Sequence, residues 1–319
     1  MNNIIIDGLS FALPLFIMAI GGIYSEKSGI TNLALEGLQG FGAFTGALIA
    51  VLLADKFGGN SQVPFYLAML FAVIGGAVYS LIHALLCIKF RANQVISGVV
   101  INILAMALTA FLTKLVNSQV FGTPSDRFVL GVSARFTVPG ISKIPVLGAI
   151  FTNIYPFEIV IIVVAVIAWY VMYKTRFGMH QRACGDNPHA VDAAGIEVAK
   201  IRYVAVMVSG ALSGLAGICF AYSISANFSS SIYMGYGYLS IAALIFGNWT
   251  ILPTLGACLL FGFAKSGGYE LVKMLEMPSS YSDLVMILPY VLTLLLLVFF
   301  SKHNHAPRAL GEIYDKGKR

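Results

Sequence analysis

The chain has 319 residues, of which 58% are hydrophobic and only 11% are charged, and its formal net charge is +6. Soluble domains carry about 25% charged residues, and uncharged stretches such as 284–300 exclude a soluble protein with a large core. A β-barrel would show alternating polar and apolar residues instead of continuous apolar runs. The composition predicts an all-α polytopic membrane protein, whose excess positive charge lies in cytoplasmic loops and not on a nucleic-acid surface.

Nine apolar segments are candidates for membrane-spanning helices, since a helix needs about 20 residues to cross a bilayer. The first follows "MNNIIIDGLSF", which lacks the basic region and cleavage site of a signal peptide, so we expect it to remain as a span. The seventh is short and Gly-rich, which indicates a half-helix or re-entrant segment. The nine segments are 4–24, 31–54, 64–88, 95–116, 156–173, 203–225, 237–248, 252–272 and 284–300. They predict eight or nine helices within residues 1–302, followed by a basic tail, 303–319.

The distribution of positive charge predicts the orientation of these spans. With nine crossings, about two thirds of the 20 lysines and arginines fall on one side, and the richer side is cytoplasmic. The N-terminus is therefore expected outside, and the C-terminus and the loop 175–202 inside. The long loop 117–155 then faces outward, either as a small ordered cap that contacts an external partner or as a plain connector.

Two Gly-rich stretches resemble each other faintly and enter the membrane from opposite sides. They are "SGITNLALEGLQGFGAFTGAL" (28–48) and "MGYGYLSIAALIFGNWTILPTLGACL" (234–259). Many transporters are built from inverted repeats with interrupted helices, so an inverted repeat is one interpretation. The other is that glycine and alanine simply allow helices to pack closely.

The cytoplasmic stretch "RACGDNPHAVDAAGI" (182–196) predicts a short capped helix. Asn187 is a good N-cap, Pro188 suits the first helical position, and Gly195 suits the left-handed residue that ends a helix. The helix, 188–194, has about two turns and is not stable alone in water. It must dock, either on its own protein or on a separate cytoplasmic protein, and its exposed face is expected to include Ala190, Val191, Ala193 and Ala194.

Residues 178–217, "GMHQRACGDNPHAVDAAGIEVAKIRYVAVMVSGALSGLAG", resemble the coupling-loop region of permease subunits in bacterial ABC importers. The branch includes sugar, branched-chain amino acid and nucleoside permeases. Its pattern R-A-x-G-x-N-P matches here, as does a following span that opens with S-G-A-L-x-G-L-A-G. The resemblance implies that the loop couples to an ATPase, through Arg182, Gly185, Asp186, Asn187, Pro188, His189, Ala193 and Gly195.

Three further blocks extend this resemblance over essentially the whole chain. "SEKSGITNLALEGLQGFGAF" (25–44) is similar to the G-x-x-N-L-x-x-E-G segment of nucleoside-type members, and the I-D-L-S-V-G pattern of sugar-type members is missing. "RANQVISGVVIN" (91–102) carries Gln94 where glutamate is common. The tail "APRALGEIYDKGKR" (306–319) resembles the A-P-x-A-L-G ending of the same members. The chain is most similar to nucleoside permeases of the guanosine or purine type.

The resemblance implies a non-catalytic permease subunit, with residues 1–302 as its transmembrane domain, in the plasma membrane of a bacterium. It also implies a second related permease chain, ATP-binding subunits that carry ATP and Mg²⁺, and an extracellular substrate-binding protein or lipoprotein. The sequence has no G-x-x-x-x-G-K-[ST] loop, so we expect no ATP or other cofactor on this chain. Its four cysteines are widely separated and are expected to be buried small hydrophobes, and no metal or catalytic pattern is evident.

Glu36 is the carboxylate that lies well inside a predicted span, where an unpaired charge is costly. We expect it to bond backbone or hydroxyl groups of the interrupted "SGITN" segment, and direct contact with a nucleoside ribose is the alternative. An ion-coupled secondary transporter would need several pairable carboxylates along its path, so Glu36 alone supports that class weakly. The same ABC machinery carrying a sugar or a branched-chain amino acid remains the nearer alternative.

Further candidates for the substrate pathway are two amides and several aromatic residues. Asn93 and Asn102 are candidates for hydrogen bonds to a base or sugar, although bonds between helices explain most such residues. Phe41, Tyr238 and Phe246 flank the interrupted segments and offer stacking surfaces, although helix packing and interfacial belts explain most membrane aromatics.

Overall fold

The computed structural model describes residues 2–57, 61–131, 135–140, 142, 147–231, 235–278, 280–300 and 305–315. Within these residues the chain is mainly helical, and seven helices are long and apolar enough to cross a membrane. The predicted all-α membrane fold is thus confirmed. The helices are α1 (Asn2–Glu26), α2 (Leu35–Phe57), α3 (Val63–Ala84), α4 (Gln94–Val120), α5 (Pro156–Lys174), α6 (Arg176–Asp186), α7 (Pro188–Ala193), α8 (Val198–Ile224), α9 (Tyr236–Phe246), α10 (Ile251–Met274) and α11 (Ser280–Phe300).

Every predicted span coincides with a helix, but two local predictions were incomplete. The second span was expected from residue 31, whereas α2 begins at Leu35, because Gly29 has a φ of +91° and 27–34 is non-helical. The Asn32 side chain accepts a bond from the Ala34 N–H (3.0 Å) and occupies the turn. The loop 175–202 contains α6 as well as the predicted short helix, and the Thr175 hydroxyl caps α6 by accepting from the Gly178 N–H (3.3 Å).

The core consists of α1, α2, α3, α8 and α10, with α1 and α8 the most deeply buried of the spans. Helices in a membrane associate through close packing because lipid offers little hydrophobic driving force. Glycines provide that packing here: a Cβ on Gly42 would overlap Gly214, and one on Gly76 would overlap the Gly210 carbonyl. At Gly42, within the stretch 28–48, the small residue thus serves close helix packing.

A small two-stranded sheet follows the C-terminal ends of α4 and α8 and contacts α2. Strands β1 (Arg127–Val129) and β2 (Asn227–Ser229) pair antiparallel, with Phe128 opposite Phe228. Both phenylalanines are buried and contact Phe44 of α2, at ring distances of 6.0 and 5.8 Å. The sheet therefore joins the described part of the 117–155 loop to the segment that leads from α8 to α9.

The seventh crossing is made by a half-helix, as predicted. With 11 residues, α9 is about 16 Å long, roughly half of the apolar thickness of a bilayer. It begins beside Glu36 in the first turn of α2. Just after its other end, Trp249 donates a bond to Glu26 at the end of α1 (2.5 Å). The half-helix α9 thus extends from the first turn of α2 to the end of α1.

Candidate functional site

The first turns of α2 and α9 meet at a single carboxylate. The two oxygens of Glu36 accept the Gly235 N–H (2.6 Å) and the Gly237 N–H (2.7 Å) at the start of α9. The first amides of a helix have no partner within the helix, and its N-terminus favours negative charge. A Cβ on Gly237 would overlap Glu36, so this approach requires glycine. Glu36 does bond backbone groups, but those of α9 and not those of the "SGITN" segment.

Asn102 of α4 ties three parts of this centre together. Its Oδ1 accepts the Gly37 N–H (2.7 Å), and its Nδ2 donates to the Leu33 carbonyl (2.8 Å) and to the Tyr238 hydroxyl (3.2 Å). The amide therefore connects α4 to the non-helical segment before α2 and to the first turns of α2 and α9. A displacement of any one of these elements alters the position of the other two.

A cavity of about 300 Å³ lies at this meeting point. Small-molecule sites in proteins range from about 300 to 1,000 Å³, so the cavity lies at the lower end of that range. Its wall is mainly apolar, with polar groups concentrated where α2, α4 and α9 converge. Those polar groups belong to Glu36, Asn102, Thr109, Ser230 and Tyr238. The arrangement offers hydrogen-bond acceptors, an amide and a phenol ring to a small neutral ligand.

Three of the six residues predicted for the pathway do not line this cavity. Asn93 caps α4, since its Oδ1 accepts the N–H groups of Val95 (3.0 Å) and Ile96 (3.1 Å). The ring of Phe41 stacks on Tyr79 at 4.3 Å. Phe246 lies at the far end of α9. The structure therefore brings together Glu36, Asn102 and Tyr238 and leaves the other three elsewhere.

The sequence analysis missed cavity residues that a helical pattern could have identified. Met106 and Thr109 of α4 line the cavity with Asn102, and residues spaced by three or four share one face of a helix.

Lys265 lies inside α10, against the N-terminal end of α9. Its ammonium donates to the Tyr236 hydroxyl (2.7 Å) and lies over the Phe11 ring at 3.9 Å. It thus supports α9 on the face away from the cavity.

The predicted cytoplasmic helix is present as α7. Asn187 caps it by accepting the Ala190 N–H (3.1 Å), Pro188 is its first residue, and Gly195 follows it with a φ of +80°. Its exposed surface includes His189 and Ala193. The helix ends at Ala193, one residue earlier than expected.

One residue of α7 is less exposed than the sequence analysis expected: Val191 was placed on the exposed face but packs with Cys184 and Val198 in a small core. Two of the residues predicted to couple to an ATPase are also buried, namely Pro188 and Gly185, where a Cβ would overlap the Lys27 carbonyl. The exposed candidates are Asp186, Asn187, His189, Ala193 and Gly195, and Arg182 is partly exposed with its guanidinium 5.4 Å from the Tyr173 ring.

All four cysteines lie in the described part of the chain and are free and buried, which confirms their expected role as small hydrophobes. Outside the membrane, burial raises the pKa of the Cys184 thiol to about 11. A thiol with such a pKa is protonated near neutral pH and is a poor nucleophile.

The helices, the half-helix α9 and the cavity at helix ends define a multi-pass membrane protein of the transporter class. The chain belongs to the family described as branched-chain amino acid transport system / permease component, whose model matches residues 4–297. The guanosine ABC transporter permease protein NupQ of Bacillus subtilis is 40% identical, over 98% of this chain and 96% of its own length. The nucleoside ABC transporter permease protein NupC of Lactococcus lactis is 39% identical, over 99% and 97%. No solved structure matches the chain.

Proposed function

We propose that this chain is the permease subunit of an ATP-driven ABC importer for nucleosides. The observation that carries the proposal is the 39–40% identity, over nearly the whole length, to two permeases named for guanosine or nucleosides. The cavity chemistry agrees with it. A nucleoside has hydroxyls that bond to carboxylate and amide groups and a base that stacks on an aromatic ring, and Glu36, Asn102 and Tyr238 supply such groups.

The importer is assembled from several subunits. ATP-binding subunits hold ATP and Mg²⁺ and contact α7, and a substrate-binding protein or lipoprotein delivers nucleoside from outside. A second, related permease chain completes the membrane part. Its presence is supported by two relatives in each of two organisms: Bacillus subtilis has NupQ and NupP, and Lactococcus lactis has NupC and NupB, all named as permease proteins.

The chain lies in a bacterial plasma membrane with its N-terminus outside and its C-terminus in the cytoplasm, as the positive charges favour. In support of this sidedness, the described tail contacts the same end of the molecule as α6: the Ala309 N–H donates to the Gly185 carbonyl (2.8 Å). Transport proceeds by alternating access, since movement of α7 shifts the packed helices around the cavity.

The test is uptake of labelled guanosine by proteoliposomes that contain the chain purified together with its native partners. The proposal requires uptake that depends on ATP and that unlabelled nucleosides inhibit more strongly than glucose or leucine. Stronger inhibition by glucose or leucine would show that the machinery carries a different substrate. Uptake driven by an imposed ion gradient in the absence of ATP would identify an ion-coupled transporter and refute the proposal.

A further inference from the structure

The C-terminal segment 305–315, here called the strap, has no regular secondary structure, yet it is attached to the rest of the chain at several points. Terminal segments are usually poorly ordered unless specific contacts hold them. The strap makes such contacts along its whole length. The His305 N–H donates to the Asn248 side chain (2.7 Å), and at the other end Arg91 and Asp315 form an ion pair (2.9 Å). The strap is therefore held at both of its ends.

The middle of the strap joins α6 to the turn after α1. The Ala309 N–H donates to the Gly185 carbonyl at the end of α6 (2.8 Å), and the Gly311 N–H donates to the Gly29 carbonyl (3.1 Å). Ala309 is 3% exposed. The Gln181 side chain of α6 also donates directly to the Tyr24 carbonyl of α1 (2.5 Å), and Gly185 packs against the Lys27 carbonyl. The strap adds a further connection from the end of α6 to the non-helical segment 27–34 that leads into α2, at Gly29.

A second line of contacts runs from α7 through the strap to the same segment. The ring of His189 on α7 lies 5.2 Å from the ring of Tyr314 in the strap. The guanidinium of Arg202 lies over the same Tyr314 ring, at 5.9 Å from its centre, which is within the range of cation–π contacts. Arg202 is buried near the start of α8, and it donates to the Ser28 carbonyl (3.1 Å) and to the Glu312 carbonyl of the strap (3.4 Å).

The segment 27–34 leads directly to the cavity. Five residues after Ser28, the Leu33 carbonyl accepts the bond from Asn102, and Glu36 follows in the first turn of α2. A displacement of α7 that moves Tyr314 therefore acts on Arg202 and Ser28, and through them on the polar end of the cavity. Coupling between distant sites travels through packed side chains and hydrogen bonds of this kind.

We propose that the strap is a positioning element that transmits the movement of α7 to the segment 27–34 and so to the substrate cavity. Ala309 attaches it to α6, and Tyr314 attaches it to α7 and Arg202. This inference rests on the proposed function, since an ATP-binding subunit must move α7. The C-terminal tail thus has its own role in transport, in addition to the role of the α7 surface.

The first test compares Ala309→Trp with Arg308→Trp in the complete importer reconstituted with its partners. The two variants introduce the same side chain at adjacent positions, one buried and one exposed. We expect Ala309→Trp to lower nucleoside uptake by about tenfold, while ATP hydrolysis changes by less than about twofold, as loss of a typical coupling free energy would produce. Arg308→Trp is expected to leave both rates unchanged.

The second test uses Tyr314→Ala and Tyr314→Phe, which do not alter the buried junction at Ala309. Removal of the ring is expected to uncouple uptake from ATP hydrolysis, and phenylalanine, which keeps the ring, is expected to restore it. Normal uptake in both Ala309→Trp and Tyr314→Ala would overturn the proposal. A parallel loss of uptake and ATP hydrolysis would also overturn it, since the strap would then serve only assembly. If the wild-type importer takes up nucleoside without ATP, the proposed function itself fails.

Discussion

Replacement of Glu36 by glutamine tests whether the cavity depends on the junction of α2 and α9. Glu36 accepts two backbone N–H groups, at 2.6 and 2.7 Å. Glutamine is nearly isosteric, but it keeps one acceptor oxygen and turns an NH₂ group toward the second donor. Loss of one hydrogen bond to a charged group costs about 1.5–3 kcal/mol, and loss of the charge at the helix N-terminus adds about 0.3–1 kcal/mol.

The expected result follows from this energy. At the lower end of the summed range, a cost of about 2 kcal/mol shifts the equilibrium between the intact and the open junction by about thirtyfold, and it lowers the apparent affinity by that factor where the two states are close in free energy. Uptake kinetics in proteoliposomes with Glu36→Gln should show a KM raised by about that factor. Glu276→Gln, the same change at an exposed position after α10, is the control and should leave KM unaltered. A wild-type KM in Glu36→Gln would refute the role of this junction in substrate binding.

Further outcomes are expected at four positions. Gly185→Ala should lower the melting temperature of the purified chain, since its Cβ would overlap the Lys27 carbonyl and overpacking costs about 1–3 kcal/mol. Ala193→Trp, on the exposed face of α7, should leave the melting temperature unchanged but prevent copurification of the ATP-binding subunits. Lys265→Met should fold normally, because apolar replacement of a buried ion is often tolerated. It should lower uptake by about tenfold through loss of support for α9, and Lys265→Arg should restore part of the uptake. Because burial raises the pKa of Cys184 to about 11, iodoacetamide at pH 8 should label this thiol only after denaturation; rapid labelling of the folded protein would contradict its burial.

The spans could be predicted from the sequence because their determinants are local. An uninterrupted apolar run of about 20 residues has few alternatives to a transmembrane helix. The cap of α7 was also predictable, since Asn187 and Pro188 act on the next three residues. The helix α6 was not, because its sequence is mixed and contains Gly178 and Gly185. Glycine has a low helix propensity, but here the two glycines allow α6 to approach the carbonyls of Met172 and Lys27 closely. Contacts of this kind cannot be predicted from the local sequence pattern.

The candidate cavity could be predicted in its residue types but not in its geometry. Glu36, Asn102 and Tyr238 were each identified from the sequence. Only the fold brings Glu36 against the first turn of α9, which contains Tyr238 and lies about 200 positions further along the chain. Asn93 has the same side chain as Asn102 and lies nine residues earlier, but it follows a non-helical turn and therefore caps α4. A sequence without its helix boundaries does not separate a capping amide from one that lines a cavity.

The charge arrangement at the cavity bears on the class of substrate. A bare helix N-terminus favours an anion, and α9 presents its first amides toward the cavity. In this chain Glu36 already accepts the amides of Gly235 and Gly237, so the position that would bind a carboxylate or phosphate is occupied by the Glu36 carboxyl group. An anionic ligand would have to compete with Glu36 for these amides, and a zwitterionic amino acid would have to place its carboxylate elsewhere. A neutral ligand avoids this cost and can use the second lone pairs of the same oxygens for its hydroxyls. The electrostatics of the junction therefore favour a nucleoside or a sugar over a branched-chain amino acid, although the family takes its description from amino acid transport.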